Sequence, residues 1–200
     1  MTKQVDFIFD FASPNAYLVH KMLPDFATKN KASFNYIPCL LGGIFKSTNN
    51  QPPMLAFGDI PKKMAYESAV MARWTQRYGL NDFKMNPHFP INTVALMRCA
   101  IVAQTRDELP AFIDAMLVPM WEAGADLGDP AIIAQELDKA GFDAPHYIEA
   151  ITTDPIKQKL IENTAAAVER GCFGIPTFYY DGHQFFGKDH LAELEYHLNK

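Results

Sequence analysis

The chain opens on a short run of strand-forming residues. Val5-Asp6-Phe7-Ile8-Phe9-Asp10-Phe11 alternates apolar with polar and then turns almost wholly apolar, which predicts a strand buried near the centre of a sheet. Ser13 and Pro14 then mark a helix start. A serine oxygen accepts one of the free N–H groups of a first turn, and proline suits the first helical position because its missing N–H has no partner there anyway. Ala16, Tyr17, Val19, His20 and Leu23 carry an approximate helical stripe onward. Phe34-Asn35-Tyr36-Ile37-Pro38 predicts a second strand, which completes a right-handed β-α-β unit.

From Gly42-Gly43 the pattern changes, and Ser47-Thr48-Asn49-Asn50-Gln51-Pro52-Pro53 predicts a polar loop closed by two prolines. Helical periodicity then dominates, with helices predicted over 61–78, 91–105, 110–124, 130–140 and 155–171. Asp129-Pro130 and Asp154-Pro155 each join a capping oxygen to a first-turn proline. Strand formers return in Thr177-Phe178-Tyr179-Tyr180 and His183-Gln184-Phe185-Phe186. Between them lies Asp181-Gly182, a pair suited to the positive φ angles of a two-residue hairpin turn. Leu191, Leu194 and Leu198 then give a closing helix over 190–198. The expected class is α/β: residues 1–45 and 172–200 form one β-α-β plus β-β-α domain, and 46–171 form a helical subdomain inserted into it.

Composition narrows what such a fold can do. With 200 residues, 48% of them hydrophobic, the chain can bury a core without disulfides. The net charge of −5, with bases scattered among acids, excludes a surface for the nucleic-acid backbone, which needs a basic stripe. No apolar run approaches the roughly 20 residues of a membrane span. Met1-Thr2-Lys3-Gln4 leads straight into the strand without a basic and then apolar leader, so a soluble cytoplasmic protein with a small-molecule or protein partner is expected. Cys39, Cys99 and Cys172 are too widely spaced for a metal site and read as small buried apolar residues.

The candidate chemistry lies at Ser13. A helix N-terminus offers free N–H groups and the positive end of its dipole, and therefore favours an anion. A thiolate held there is stabilised, and more so by a donating hydroxyl; since the thiolate is the nucleophile, its reactive fraction rises. On residues alone, Ser13 and Asp189 are equally ordinary helix caps, Asn50 a turn residue, Ile175 an apolar strand edge and Lys188 an exposed charge. Lys46, just before the Asn50 loop, reads as solvated. A Ser-His-Asp hydrolase using His20, His183 or His190 is disfavoured, because Phe11-Ala12-Ser13-Pro14-Asn15 lacks the Gly-x-Ser-x-Gly elbow.

Four segments change these odds together. Phe9-Asp10-Phe11-Ala12-Ser13-Pro14, Asn49-Asn50-Gln51-Pro52-Pro53, Phe173-Gly174-Ile175-Pro176 and Phe186-Gly187-Lys188-Asp189 resemble, in order and interval, the kappa-class glutathione transferases and the glutathione-dependent 2-hydroxychromene-2-carboxylate isomerases. The likeness covers nearly the whole chain. It implies a thioredoxin-like fold with a large helical insertion and a cis peptide at Pro176. It also puts Ser13 where a redox relative carries the first cysteine of a Cys-x-x-Cys pair, so the thiol would be borrowed from glutathione.

The resemblance further implies that Ser13 is catalytic and faces the glutathione sulfur, and that Asn50 contacts the tripeptide. Ile175, ahead of Pro176, would pair its backbone N–H and C=O with the cysteinyl part, while Lys188 and Asp189 would take the γ-glutamyl end. Two departures stand out: the kappa class commonly has serine at Lys188, and Asn15 replaces an aromatic that often follows the Ser-Pro pair. The implied activity is isomerisation of 2-hydroxychromene-2-carboxylate or a similar aromatic-breakdown intermediate, through thiolate addition, bond rotation and thiolate release, in a homodimer. The alternatives are a conjugating glutathione transferase, a thiol-disulfide oxidoreductase, against which the missing Cys-x-x-Cys counts, and a non-catalytic glutathione- or peptide-binding module.

Overall fold

Both ends of the chain build the sheet, as the strand signals at the two ends require. In the computed structural model, which describes residues 3–200, β1 (Lys3–Phe9) pairs in parallel with β2 (Ala32–Pro38) and antiparallel with β3 (Thr177–Tyr180), which pairs with β4 (His183–Phe186). The order is β2-β1-β3-β4. Lying between two neighbours, β1 is apolar in nearly every inward position. Phe7 stands across from Tyr36 and Phe178 with ring centroids 4.8 and 4.7 Å away, so one aromatic row ties three strands. Asp181 and Gly182 both have positive φ, 49° and 77°, as a tight hairpin of this type demands.

β1 ends at Phe9, two residues before the apolar run does. Asp10 diverts it: its backbone C=O accepts the Ser13 N–H at 3.2 Å and its Oδ1 accepts the Ala12 N–H at 2.9 Å. That turn delivers Ser13 to the N-cap of α1 (Pro14–Asn30), where its Oγ accepts the Ala16 N–H.

The middle of the chain is helical, with five differences from the sequence pattern, the short α3 among them. α2 (Leu41–Thr48) forms where Gly42-Gly43 predicts a loop. Its start is held from outside, because Asp10 Oδ2 accepts the Leu41 N–H at 2.7 Å and Thr164 Oγ1 accepts the Leu40 N–H at 3.0 Å. The short α3 (Pro53–Ala56) and α4 (Pro61–Arg77) follow, and α5 (Val94–Thr105) begins three residues later than its periodicity suggests. The helix expected over 110–124 divides into α6 (Leu109–Val118) and a π-helical turn, Pro119–Ala123, since Pro119 has no N–H to continue the ladder. α7 (Pro130–Lys139) and α9 (Asp154–Glu169) match expectation, whereas α8 (Ala144–Ala150), capped by Asp143, is too short to show a period. A 3₁₀ turn, Lys188–His190, leads into α10 (Leu191–Leu198).

The architecture is the thioredoxin-like α/β fold with a helical insertion. The expected boundary between residues 45 and 46 falls inside α2, and one apolar core runs from the sheet into the helices. Phe11, just past β1, packs edge-on against Phe112 of α6 at 5.8 Å, and its C=O accepts the Trp121 indole N–H at 3.0 Å. No described helix is long and apolar enough to cross a membrane.

Candidate functional site at the Ser13 corner

Four consecutive carbonyls fix the segment ahead of β3. The Phe173 C=O accepts Asn50 Nδ2 at 2.8 Å, and the Gly174 C=O accepts the Thr177 hydroxyl at 2.7 Å and the Cys172 thiol at 3.2 Å. The Ile175 C=O accepts the Ser13 hydroxyl at 2.9 Å, and the Pro176 C=O accepts the Gly187 N–H at 2.8 Å. The Ile175–Pro176 peptide is cis. The β1 corner, the loop after α2 and the exit of β4 therefore converge on one short loop. A Cβ on Gly174 would meet the Phe186 ring at 2.8 Å, so glycine is needed for Phe186 to close over the loop, where it packs on Phe173. The Ile175 N–H donates to none of the described residues, although the residue is only 6% exposed.

Ser13 lies opposite, 4% exposed. Its Oγ receives the Ala16 N–H at 3.2 Å, so its own proton goes to the Ile175 carbonyl. Beside it Asn15 Oδ1 is buried with no donor among the described residues. No cysteine lies in the Asp10–Ser13 turn, and the thiol of Cys172 is spent on the Gly174 carbonyl. All three cysteines are free and buried, and burial pushes the Cys99 thiol up to about 12 and raises those of Cys39 and Cys172.

Ser13 thus meets Ile175, the residue ahead of Pro176, and Asn50 reaches the same loop through Phe173. Both ends of the Asn50 amide are used, since its Oδ1 accepts the Gln51 N–H at 2.8 Å. Asn49, in the left-handed region at φ 54°, ends α2 and turns Asn50 toward the loop. Lys188 is not the exposed charge its sequence context suggests. It is 5% exposed, its ammonium stands 4.8 Å from the centre of the Trp74 ring on α4, and both Asp189 oxygens accept from it at 2.8 Å. Asp189 accordingly caps no helix; its carboxylate serves the lysine. His20 belongs elsewhere: its ring nitrogens lie 2.7 Å from Tyr36 Oη and from Asp114, and burial lowers its pKa. No described histidine bonds to Ser13, which removes the geometry of a hydrolase.

The family model described as the DSBA-like thioredoxin domain matches residues 4–199. The chain belongs to this family. It is 28% identical to the 2-hydroxychromene-2-carboxylate isomerase of Sphingobium xenophagum over 99% of both chains. It is also 28% identical to glutathione S-transferase kappa 1 of Rattus norvegicus, over 98% of this chain and 91% of that one. A solved 2-hydroxychromene-2-carboxylate isomerase shares the fold with a TM-score of 0.84 at 24% identity, covering 98% of this chain and 94% of that one. A probable DsbA oxidoreductase from Streptomyces coelicolor does so with 0.76 at 16%, covering 98% and 88%.

Within this DSBA-like domain the sequence leaves several contributors unmarked. Asp10 is fully buried and accepts from Ala12, Leu41 and Thr93, the last at 2.8 Å. Trp121, also fully buried, has Phe83 and Phe89 rings within 6.0 Å, and Tyr17, one turn beyond Ser13, extends that wall by packing on Phe83 at 5.4 Å. One signal was present: an aspartate inside an apolar strand-forming run needs donors wherever it is buried.

Proposed function

We propose that this protein is a glutathione-dependent isomerase of the 2-hydroxychromene-2-carboxylate type, acting on that compound or a similar aromatic-breakdown intermediate. One observation carries the reading: the buried Ser13 hydroxyl stands at the N-terminus of α1, 2.9 Å from the carbonyl ahead of cis-Pro176, where the turn itself has no cysteine. The isomerases among its relatives supply the substrate class.

The residues present fit a thiol tripeptide. Ile175 offers an unused N–H and a carbonyl with a second lone pair, which suits an extended cysteinyl backbone. Bound there, glutathione would supply the nucleophilic thiolate. Ser13 keeps the Ala16 N–H and turns its own proton from Ile175 toward the sulfur, while the α1 dipole favours the negative charge. Asn50 holds the Phe173–Pro176 loop in place. Asp189, its side chain 63% exposed, accepts the γ-glutamyl ammonium, and Lys188, with no surface to spare, orients that carboxylate. The wall of Tyr17, Phe83 and Trp121 keeps water from the back of the corner. Exposed Leu55, Phe57, Ile60 and Tyr66 in and around α3 and α4 supply the contact of a homodimer in the cytoplasm.

The equal identity to a kappa-class enzyme supports a second reading at the same site, conjugation of an electrophile with release of the product. Calorimetric titration with glutathione, followed by turnover of 2-hydroxychromene-2-carboxylate, tests both. Wild type binds and isomerises, and Ser13→Ala lowers kcat/KM by about 100-fold, the scale for losing one preorganised donor to a developing anion. A released conjugate selects the transferase. No glutathione binding by wild type sinks both readings.

A further inference from the structure

We propose that Asp10 is the positioning residue of the Ser13 corner, its ionised carboxylate holding that corner in register with the Asn50 loop and the start of α5. Only the catalytic consequence rests on the glutathione reading above; the positioning rests on geometry.

Asp10 is the first residue of the turn whose fourth is Ser13, and it fixes the turn twice, with its backbone C=O on the Ser13 N–H and its Oδ1 on the Ala12 N–H. Its other contacts lead away. Oδ1 also accepts the hydroxyl of Thr93, the N-cap residue of α5, and Oδ2 accepts the N–H of Leu41, the first residue of α2. α2 ends at Thr48 and its cap Asn49 leads to Asn50; Asn50 holds the Phe173 carbonyl, and two residues on the Ile175 carbonyl holds Ser13. The links close a ring of hydrogen bonds. Asp10 is where the two arms of that ring meet, so a shift of its carboxylate moves Ser13 relative to the loop it faces.

The ring is strongest with the charged form. Two of the three donors are backbone N–H groups that cannot reverse, and each requires a lone pair. A proton can enter on the free site of Oδ2, but it removes the negative charge, so the three charge-assisted bonds weaken to neutral ones. The groups facing the carboxylate are the Ala12 N–H from its own turn, Leu41 from α2 and Thr93 from α5, none of them a cation. Cys39, at the exit of β2, is the described titratable group that feels its charge, and burial keeps that thiol protonated. With no cation to offset desolvation, burial raises the Asp10 carboxyl from 3.8 to about 6. Above that value the three bonds are charge-assisted; below it they weaken and Ser13 loosens. Activation of a thiol at Ser13 should therefore have an acid limb near pH 6.

The test follows the ligand-free protein by NMR and then adds glutathione. In wild type the Asp10 side-chain carbon and the amide protons of Ser13 and Leu41 titrate together with a midpoint near 6. Thr93→Val removes a donor to the charged form and moves that midpoint up, while Thr93→Ser retains it. Asp10→Asn abolishes the transition and weakens glutathione binding about tenfold, as expected for one broken charged hydrogen bond. If Asp10→Asn does not fold, the two Thr93 variants carry the test alone. A Ser13 amide that stays silent while Asp10 titrates overturns the proposal, as does a Thr93→Val midpoint equal to that of wild type. Coupled titration without glutathione binding would instead sink the functional reading and leave the positioning role standing.

Discussion

At the scale of single residues, the pairing of Lys188 with Asp189 shows how a charge survives burial. The ammonium is almost without solvent, yet it has two carboxylate oxygens at 2.8 Å and the negative face of Trp74 above it. The partner is mostly exposed, so the two are not equivalent. Removing Asp189 strands a buried charge; removing Lys188 frees a carboxylate already in water. Asp189→Ala should therefore cost about 1–2 kcal/mol, less than a fully buried pair loses because water can approach, whereas Lys188→Met keeps the stem's volume and should cost under about 1 kcal/mol. Urea denaturation of both variants checks the order. A larger loss for Lys188→Met would mean that the ammonium, and not its compensation, holds this contact together. None of this is readable from Gly187-Lys188-Asp189, because the ring that covers the lysine belongs to a helix far earlier in the chain.

At the scale of elements, the two glycines of α2 separate what propensity decides from what packing decides. Nothing lies within 4 Å of a Cβ placed on Gly42, but one on Gly43 would approach Thr164 Cγ2 of α9 to 3.0 Å. Gly42→Ala should stabilise the protein by about 0.5–1 kcal/mol through reduced unfolded-state entropy. Gly43→Ala should give no such gain, since it presses on the residue whose Oγ1 holds the Leu40 N–H. Thermal melts of the two variants distinguish them, and equal gains would refute a packing role for Gly43. The same contact explains why α2 was hidden: two glycines read as a loop, and the groups that make them helical, Asp10 and Thr164, arrive from elsewhere. Elements whose signal is local were legible, namely α1 with its Ser-Pro start, the Asp-Gly hairpin and the proline-initiated α4, α7 and α9. Ser13 as the cap of α1 was marked by Pro14, and the cis peptide at Pro176 by the family resemblance. Asp10 and Trp121 were not, because three or four separate elements together make their roles.

At the scale of the whole molecule, the question is whether the helical insertion is a separate unit. Its ties to the sheet run through buried and half-buried groups: Thr93 on Asp10, Trp121 on the Phe11 carbonyl, Asn163 Nδ2 on the Pro38 carbonyl at 3.0 Å, and Phe112 against Phe11. Unfolding either piece alone would expose one side of this shared core and leave several of these polar groups unpaired, at about 1–3 kcal/mol each. We therefore expect residues 46–171 and the flanking segments to unfold as one cooperative unit. At about 0.7 kcal/mol per residue near 60 °C, a single transition of the whole chain carries roughly 140 kcal/mol, and the van't Hoff enthalpy should equal the calorimetric one. The chain is suited to a second check, because both tryptophans, Trp74 and Trp121, lie in the insertion. Their fluorescence reports the helices, while hydrogen exchange at β1 and β3 amides reports the sheet. Coincident midpoints are expected. If fluorescence changes first, with a van't Hoff enthalpy near three fifths of the total, then the insertion folds by itself and the Thr93–Asp10 bond joins two bodies instead of bracing one.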